Sequence, residues 1–199
     1  KLFVTLVSAT TEKANDFFGT PQHVSLSNFG VDENGFINLC AGTWFGLVES
    51  LDLSCNEVSD MASAMLADTV RSNRWALLTS LTVDGSLHKP AISTTGAIAL
   101  TTALQKSSCI ISFSIRQNRL KPEAGRGVAA LIVASTSLQK LNLQCNKLSD
   151  EGGLAVATAM SQTSCITELD LSDNKFSEAG GVEIADALAV NRTCREIGL

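Results

Sequence analysis

The sequence predicts an α/β solenoid, a curved stack of units in which a short parallel strand is followed by a helix that returns the chain. Three observations predict it: a strand-like apolar frame with a constant period, a helical frame in step with it, and an aliphatic composition. The strand frame is clearest at Leu138-x-x-Leu141-x-Leu143-x-x-Asn146-x-Leu148. Twenty-eight residues later stands Ile166-x-x-Leu169-x-Leu171-x-x-Asn174-x-Phe176, and 28 earlier Ile110-x-x-Phe113-x-Ile115-x-x-Asn118-x-Leu120. Six residues after the Asn sits a small residue, at Ala62, Ala124, Gly152 and Gly180. Ten and fourteen after it sit apolar pairs: Leu66 and Val70, Val128 and Ile132, Val156 and Met160, Ile184 and Leu188. That i, i+4 spacing is one face of a helix. Two frames locked at one period mark a repeat architecture.

Taken in chain order, residues 1–21 lie outside the frame and read as an N-terminal cap or the remnant of a preceding unit. Residues 22–199 then hold about six units and a truncated last strand. Val24-x-Leu26-x-x-Phe29-x-Val31 is a shortened first copy, continued by Gly35 and Leu39 in the helical frame. Val48-x-x-Leu51-x-Leu53-x-x-Asn56-x-Val58 is a full second copy. The third, Leu78-x-x-Leu81-x-Val83-x-x-Ser86, rejoins the frame at Gly96, Leu100 and Leu104 if four residues are inserted after Ser86. The stretch Leu87 to Thr95 that carries the insertion reads either as a contact loop or as neutral drift of a degraded copy. The last copy, Cys194-x-x-Ile197-x-Leu199, stops inside its strand. A piece of a longer repeat protein is the expectation.

The physics of one unit explains the rest. Leu141 and Leu143 point inward from a strand while Asn142 points out. A single unit cannot bury its apolar face, so neighbours stack. Parallel strands stack about 4.8 Å apart and helices about 10 Å, which bends the stack and puts strands on the concave face. Asn56, Asn118, Asn146 and Asn174 are expected to satisfy backbone groups in buried turns, because an amide offers both donor and acceptor. Phe29 and Ser86 replace that Asn, so their turns should be less regular. Gly152, Gly153, Gly180 and Gly181 near the helix starts are expected to permit close packing.

Composition excludes several functions. With net charge −5 and pI near 5.0, the chain lacks the basic stripe that nucleic acid requires. No apolar run approaches the ~20 residues that span a bilayer, and residues 2–7, LFVTLV, are too short for a secretory signal. A cytoplasmic location follows, and Asn191-Arg192-Thr193 would be a glycosylation site only on a secreted chain. The six cysteines form no CxxC and read as free thiols, with Cys109 and Cys165 as small buried residues. A cysteine nucleophile needs a nearby histidine. The histidines, His23 and His88, fall in or after the first and third strands, whereas Cys145 falls in the fifth. No metal, cofactor or catalytic set is expected.

The period, the Asn-bearing frame and the helical half resemble leucine-rich repeats, specifically the ribonuclease-inhibitor-like class. Similar units occur in NOD-like receptors and the Ran GTPase-activating protein. The resemblance implies a non-enzymatic scaffold that binds a protein partner through the concave strand face or the solenoid's edges. It leaves two rivals: GTPase activation, or a structural spacer in a cytoskeletal or ciliary assembly. The outward positions that such a face would use include Glu49, Asp52, Asp84, Arg116, Lys140, Asn142, Gln144, Glu168, Asp170 and Asp173. Arg116 and Lys140 make its middle basic to neutral, and reversing both charges is expected to weaken binding without unfolding.

Overall fold

The computed structural model describes residues 23–41 and 47–199; the proposed N-terminal cap lies outside them. The described chain alternates β1 (His23–Ser25), α1 (Glu33–Ala41), β2 (Ser50–Asp52), α2 (Asp60–Arg71), β3 (Ser80–Thr82) and α3 (Thr94–Leu104). It continues with β4 (Ser112–Ser114), α4 (Pro122–Ala134), β5 (Lys140–Asn142), α5 (Ser149–Met160), β6 (Glu168–Asp170), α6 (Glu178–Leu188) and β7 (Glu196–Gly198). The strands form one parallel sheet in sequence order. Leu51, Leu81, Phe113, Leu141, Leu169 and Ile197 pair across it in a single register. Each helix packs on the next. This is the curved solenoid expected from the period, with strands inside and helices outside.

The core runs between sheet and helices as one continuous cluster. Phe36 and Phe113 are its largest fully buried side chains, and Leu, Ile and Val supply most of the rest. The helical frame points where the i, i+4 spacing put it: Leu66, Val128, Ile132, Val156, Met160, Ile184 and Leu188 are buried, and Val70 is half-buried against the core.

The turn asparagines bind backbone on both sides. Asn146 donates from Nδ2 to the carbonyls of Ile115 (3.1 Å) and Leu143 (2.8 Å). Its Oδ1 accepts the N–H of Asn118 (2.9 Å) and of Leu120 (3.1 Å). Asn118 likewise donates to Val83 and Ile115 and accepts from Ala91 and Ile92. Asn56 reaches Leu26 and Val31 of the first unit. Each amide therefore joins its own turn to a neighbour, and the buried polar groups are paired.

The third unit carries the expected four-residue insertion. Leu51 pairs with Leu81, 30 residues on, but Val58 bridges to Ile92, 34 residues on. The extra residues close into a tight turn in which the Ser86 N–H donates to the Lys89 carbonyl (2.8 Å) and Lys89 N–H to Ser86 Oγ (3.1 Å).

Two sequence readings need correction. Cys109 and Cys165 are half-buried, not buried, and Cys165 Sγ donates to the Thr136 carbonyl at 3.3 Å. At Gly181 an added Cβ would meet nothing within 4 Å, so close packing is not its role. At Gly125 an added Cβ would lie 2.6 Å from Gly152 Cα, so the α4–α5 crossing does require glycine.

Candidate functional site

In β1 to β6 the central residue is buried and its neighbours face out, because side chains alternate across a strand; β7 keeps the alternation, but Ile197 stays exposed. The sheet register sorts the outward residues into columns. One runs His23, Ser50, Ser80, Ser112, Lys140, Glu168, Glu196; the next runs Ser25, Asp52, Thr82, Ser114, Asn142, Asp170, Gly198. Asp84, Arg116 and Gln144 stand just beyond β3, β4 and β5, after the buried Val83, Ile115 and Leu143. The face is thus hydroxyl-rich over β1 to β4, where Asp52, Asp84 and Arg116 carry the charge, and more densely charged from β5 onward.

Two residues read as outward strand positions are placed otherwise. Glu49 precedes β2, and its carbonyl accepts the N–H groups of Thr79 (2.8 Å) and Ser80 (3.0 Å). Asp173 lies in the turn after β6 with φ of 59°. The residue before each turn Asn is left-handed at Cys55, Gln117, Cys145 and Asp173. What looks in the sequence like free variation at that position is a shared backbone constraint. Asn and Asp at Asn28 and Asp173, which tolerate this region best, were the available signal.

Several polar residues of the face also hold the backbone. Asp52 Oδ1 accepts the Ser54 N–H (2.9 Å), Asn142 Oδ1 the Gln144 N–H (3.0 Å), and Asp170 Oδ1 the Ser172 N–H (3.0 Å). In β4 this position is Ser114, and Asp84 of the preceding unit serves instead. Its Oδ1 accepts from Ser114 Oγ (2.6 Å) and from Arg116 N–H (3.0 Å), while Arg116 Nε lies 3.0 Å from Oδ2. Burial pushes the Asp84 carboxyl above its ordinary value, opposed by the Ser114 hydroxyl and the Arg116 backbone and guanidinium. The Asp84 side chain is 13% exposed. Removing its guanidinium partner would therefore cost about 1–2 kcal/mol, between the values for exposed and buried pairs. Reversing Arg116 is therefore expected to cost some stability as well as binding. Lys140 pairs with Glu168 at 2.6 Å, and that carboxylate holds its ammonium above the usual range.

The face opens into two hollows. One, about 750 Å³, lies over β4 to β7 and is lined by Ser112, Lys140, Asn142, Glu168, Asp170 and Glu196, among others. The other, about 580 Å³, lies beside the insertion and includes Asp52, Thr82, Asp84, Leu87, His88 and Arg116. The insertion is anchored on both flanks: Lys89 forms an ion pair with Glu57, and Arg119 Nη2 donates to the His88 carbonyl (3.1 Å).

All six cysteines are unpaired. Cys145 Sγ donates to Asp173 Oδ2 at 3.5 Å. Burial first, and then the Asp173 carboxylate, push its thiol pKa up, the wrong direction for a nucleophile. Among the described residues no group of three or more His, Cys, Asp or Glu side chains could hold a metal ion, and no helix is long and apolar enough to cross a membrane.

A family model described as "Leucine Rich repeat" matches residues 47–60, 134–157 and 163–185. These segments hold the Asn-bearing frames of the second, fifth and sixth units. The chain carries leucine-rich repeats in these segments. A comparison with curated proteins gives no match. Among solved structures, leiomodin-1 actin-binding site 2 superposes with a TM-score of 0.58 at 23% identity, over 66% of this chain and 75% of that one. The tropomodulin C-terminal domain of Caenorhabditis elegans superposes with a TM-score of 0.56 at 11% identity, over 93% of this chain and 92% of that one. At these identities the likeness is one of fold, and this leucine-rich-repeat chain shares that fold across nearly its whole length.

Proposed function

We propose that the chain is a non-enzymatic protein-interaction scaffold that takes its partner on the concave strand face. The observation that carries this reading is the face itself. Seven strands present polar side chains over two open hollows, while the apolar side chains between them, from β1 to β6, are committed to the core. A rigid, solvated, extended surface of this kind is what repeat proteins use for recognition. Actin is the first partner to test, because the leiomodin-1 domain of like fold is an actin-binding site. A cytoskeletal setting goes with that choice.

Ser112 sits at the centre of the face, in the middle strand, and lines the larger hollow. Co-sedimentation with actin filaments should be retained by the unaltered chain and by Ala130→Trp on the exposed side of α4. Ser112→Trp should weaken it at least tenfold, since a bulky ring there denies the face to any partner. Equal binding by both variants would remove the concave face from the account, and no binding by the unaltered chain would remove actin.

A further inference from the structure

Five carboxylates stand on or beside the outward strand positions: Asp52, Asp84, Glu168, Asp170 and Glu196. Three cations stand with them, and two are already engaged, Arg116 by Asp84 and Lys140 by Glu168. The third, Arg195, lies at one end of the larger hollow. Asp52 and Asp170 take hydrogen bonds from backbone and hydroxyl groups but no cation. The middle that reads as basic in the sequence is electrically closed, and carboxylates outnumber cations on the face by two.

We infer that the concave face receives an extended lysine- or arginine-rich segment of a protein partner. This rests on the scaffold reading above and names the chemistry of what the scaffold takes. Asp52 and Asp170 occupy one register position, on β2 and β6. Four strand spacings of ~4.8 Å separate them by about 19 Å. An extended chain covers that distance in about six residues at ~3.3 Å each. The segment therefore carries cations about six residues apart, crossing the strands.

Leu87 fits the same occupant. It is 78% exposed, the most exposed of the large apolar side chains described. It rides on the anchored insertion and lines the hollow that contains Asp52. A lysine or arginine whose charge meets Asp52 carries a long aliphatic stem that gains from apolar cover. The hollow offers charge and cover together.

The test uses capped probe peptides read by fluorescence anisotropy: one with lysines six residues apart, one with the same lysines adjacent, and one with glutamates replacing the spaced lysines. The protein variant Asp52→Asn, Asp170→Asn, Glu196→Gln removes three of the five carboxylate charges. Its fold should be retained, because Asn142 fills the same position in β5 and makes the same backbone bond. The control Glu178→Gln, Glu183→Gln, Asp186→Asn removes equal charge from the exposed residues of α6. The spaced-lysine peptide should bind most tightly, lose at least tenfold to the concave variant and less than twofold to the α6 control. Equal loss in both variants, or equal binding of the glutamate peptide, overturns the inference. If actin binding is abolished by Ser112→Trp yet unchanged in the concave triple variant, the scaffold reading stands and this inference falls.

Discussion

Four buried asparagines carry the turns, but they do not carry equal loads. Asn146 satisfies two carbonyls at 3.1 Å or closer and two N–H groups. Asn174 donates to Leu143 and Leu171 equally well, yet accepts only a long bond from Leu148 N–H, at 3.4 Å. A buried backbone group left unpaired costs about 1–3 kcal/mol. Asn146→Ala should therefore lower stability by about 4 kcal/mol in urea denaturation, and Asn174→Ala by about 1 kcal/mol less. Equal losses would mean that the acceptor side of the amide contributes nothing. The role of these residues is legible in the sequence, because an amide recurring inside an apolar frame has no other use there. The left-handed residue before each of them is scarcely legible, since only Asp173 is of a type that favours the region. Cys55, Gln117, Cys145 and Asp173 share a φ near 58°, but the chemistry of the first three does not announce it. Asp84 was equally hidden: its carboxylate bonds a backbone N–H 32 residues on, and no local spacing encodes that.

At the scale of the element, small residues at the start of each helix prove to have distinct reasons. Gly125 lies against Gly152 where α4 crosses α5, and a Cβ on either meets backbone. Gly181, in α6, has open space around it. Gly125→Ala should destabilise by about 2 kcal/mol through forced separation of the helices. Gly181→Ala should stabilise by about 0.5–1 kcal/mol by removing the conformational freedom of glycine from a helix. Opposite signs in urea denaturation are the expected result, and a loss at Gly181 would reveal a packing role that the geometry lacks. The helix starts are also tied unit to unit. Ser177 N–H and Oγ donate to Asp150 at 2.8 and 2.7 Å, which holds the Asp150 carboxyl below its ordinary value. Ser93 donates to Asp60, and Lys121 N–H donates to Thr94. This seam rests on the serine caps Ser59, Ser93 and Ser177. Their partners one unit away become visible only when the units stack.

For the whole molecule, period gives fold with little ambiguity. Strand order, register and the four-residue insertion all follow from the spacing of Leu, Asn and small residues. The recognition face is less legible, because outward side chains interact across the stack. Arg116 and Lys140 read as a basic centre in one dimension, and become two closed ion pairs once β3 meets β4 and β5 meets β6. Above all, a protein partner is proposed to lie across the strands and not along the helices. A photo-crosslinking amino acid placed at position 112, on the concave centre, and separately at position 130, on the exposed side of α4, tests this most directly. With actin present, adduct formation from position 112 and little from position 130 is the predicted result; adducts from position 130 alone would contradict it.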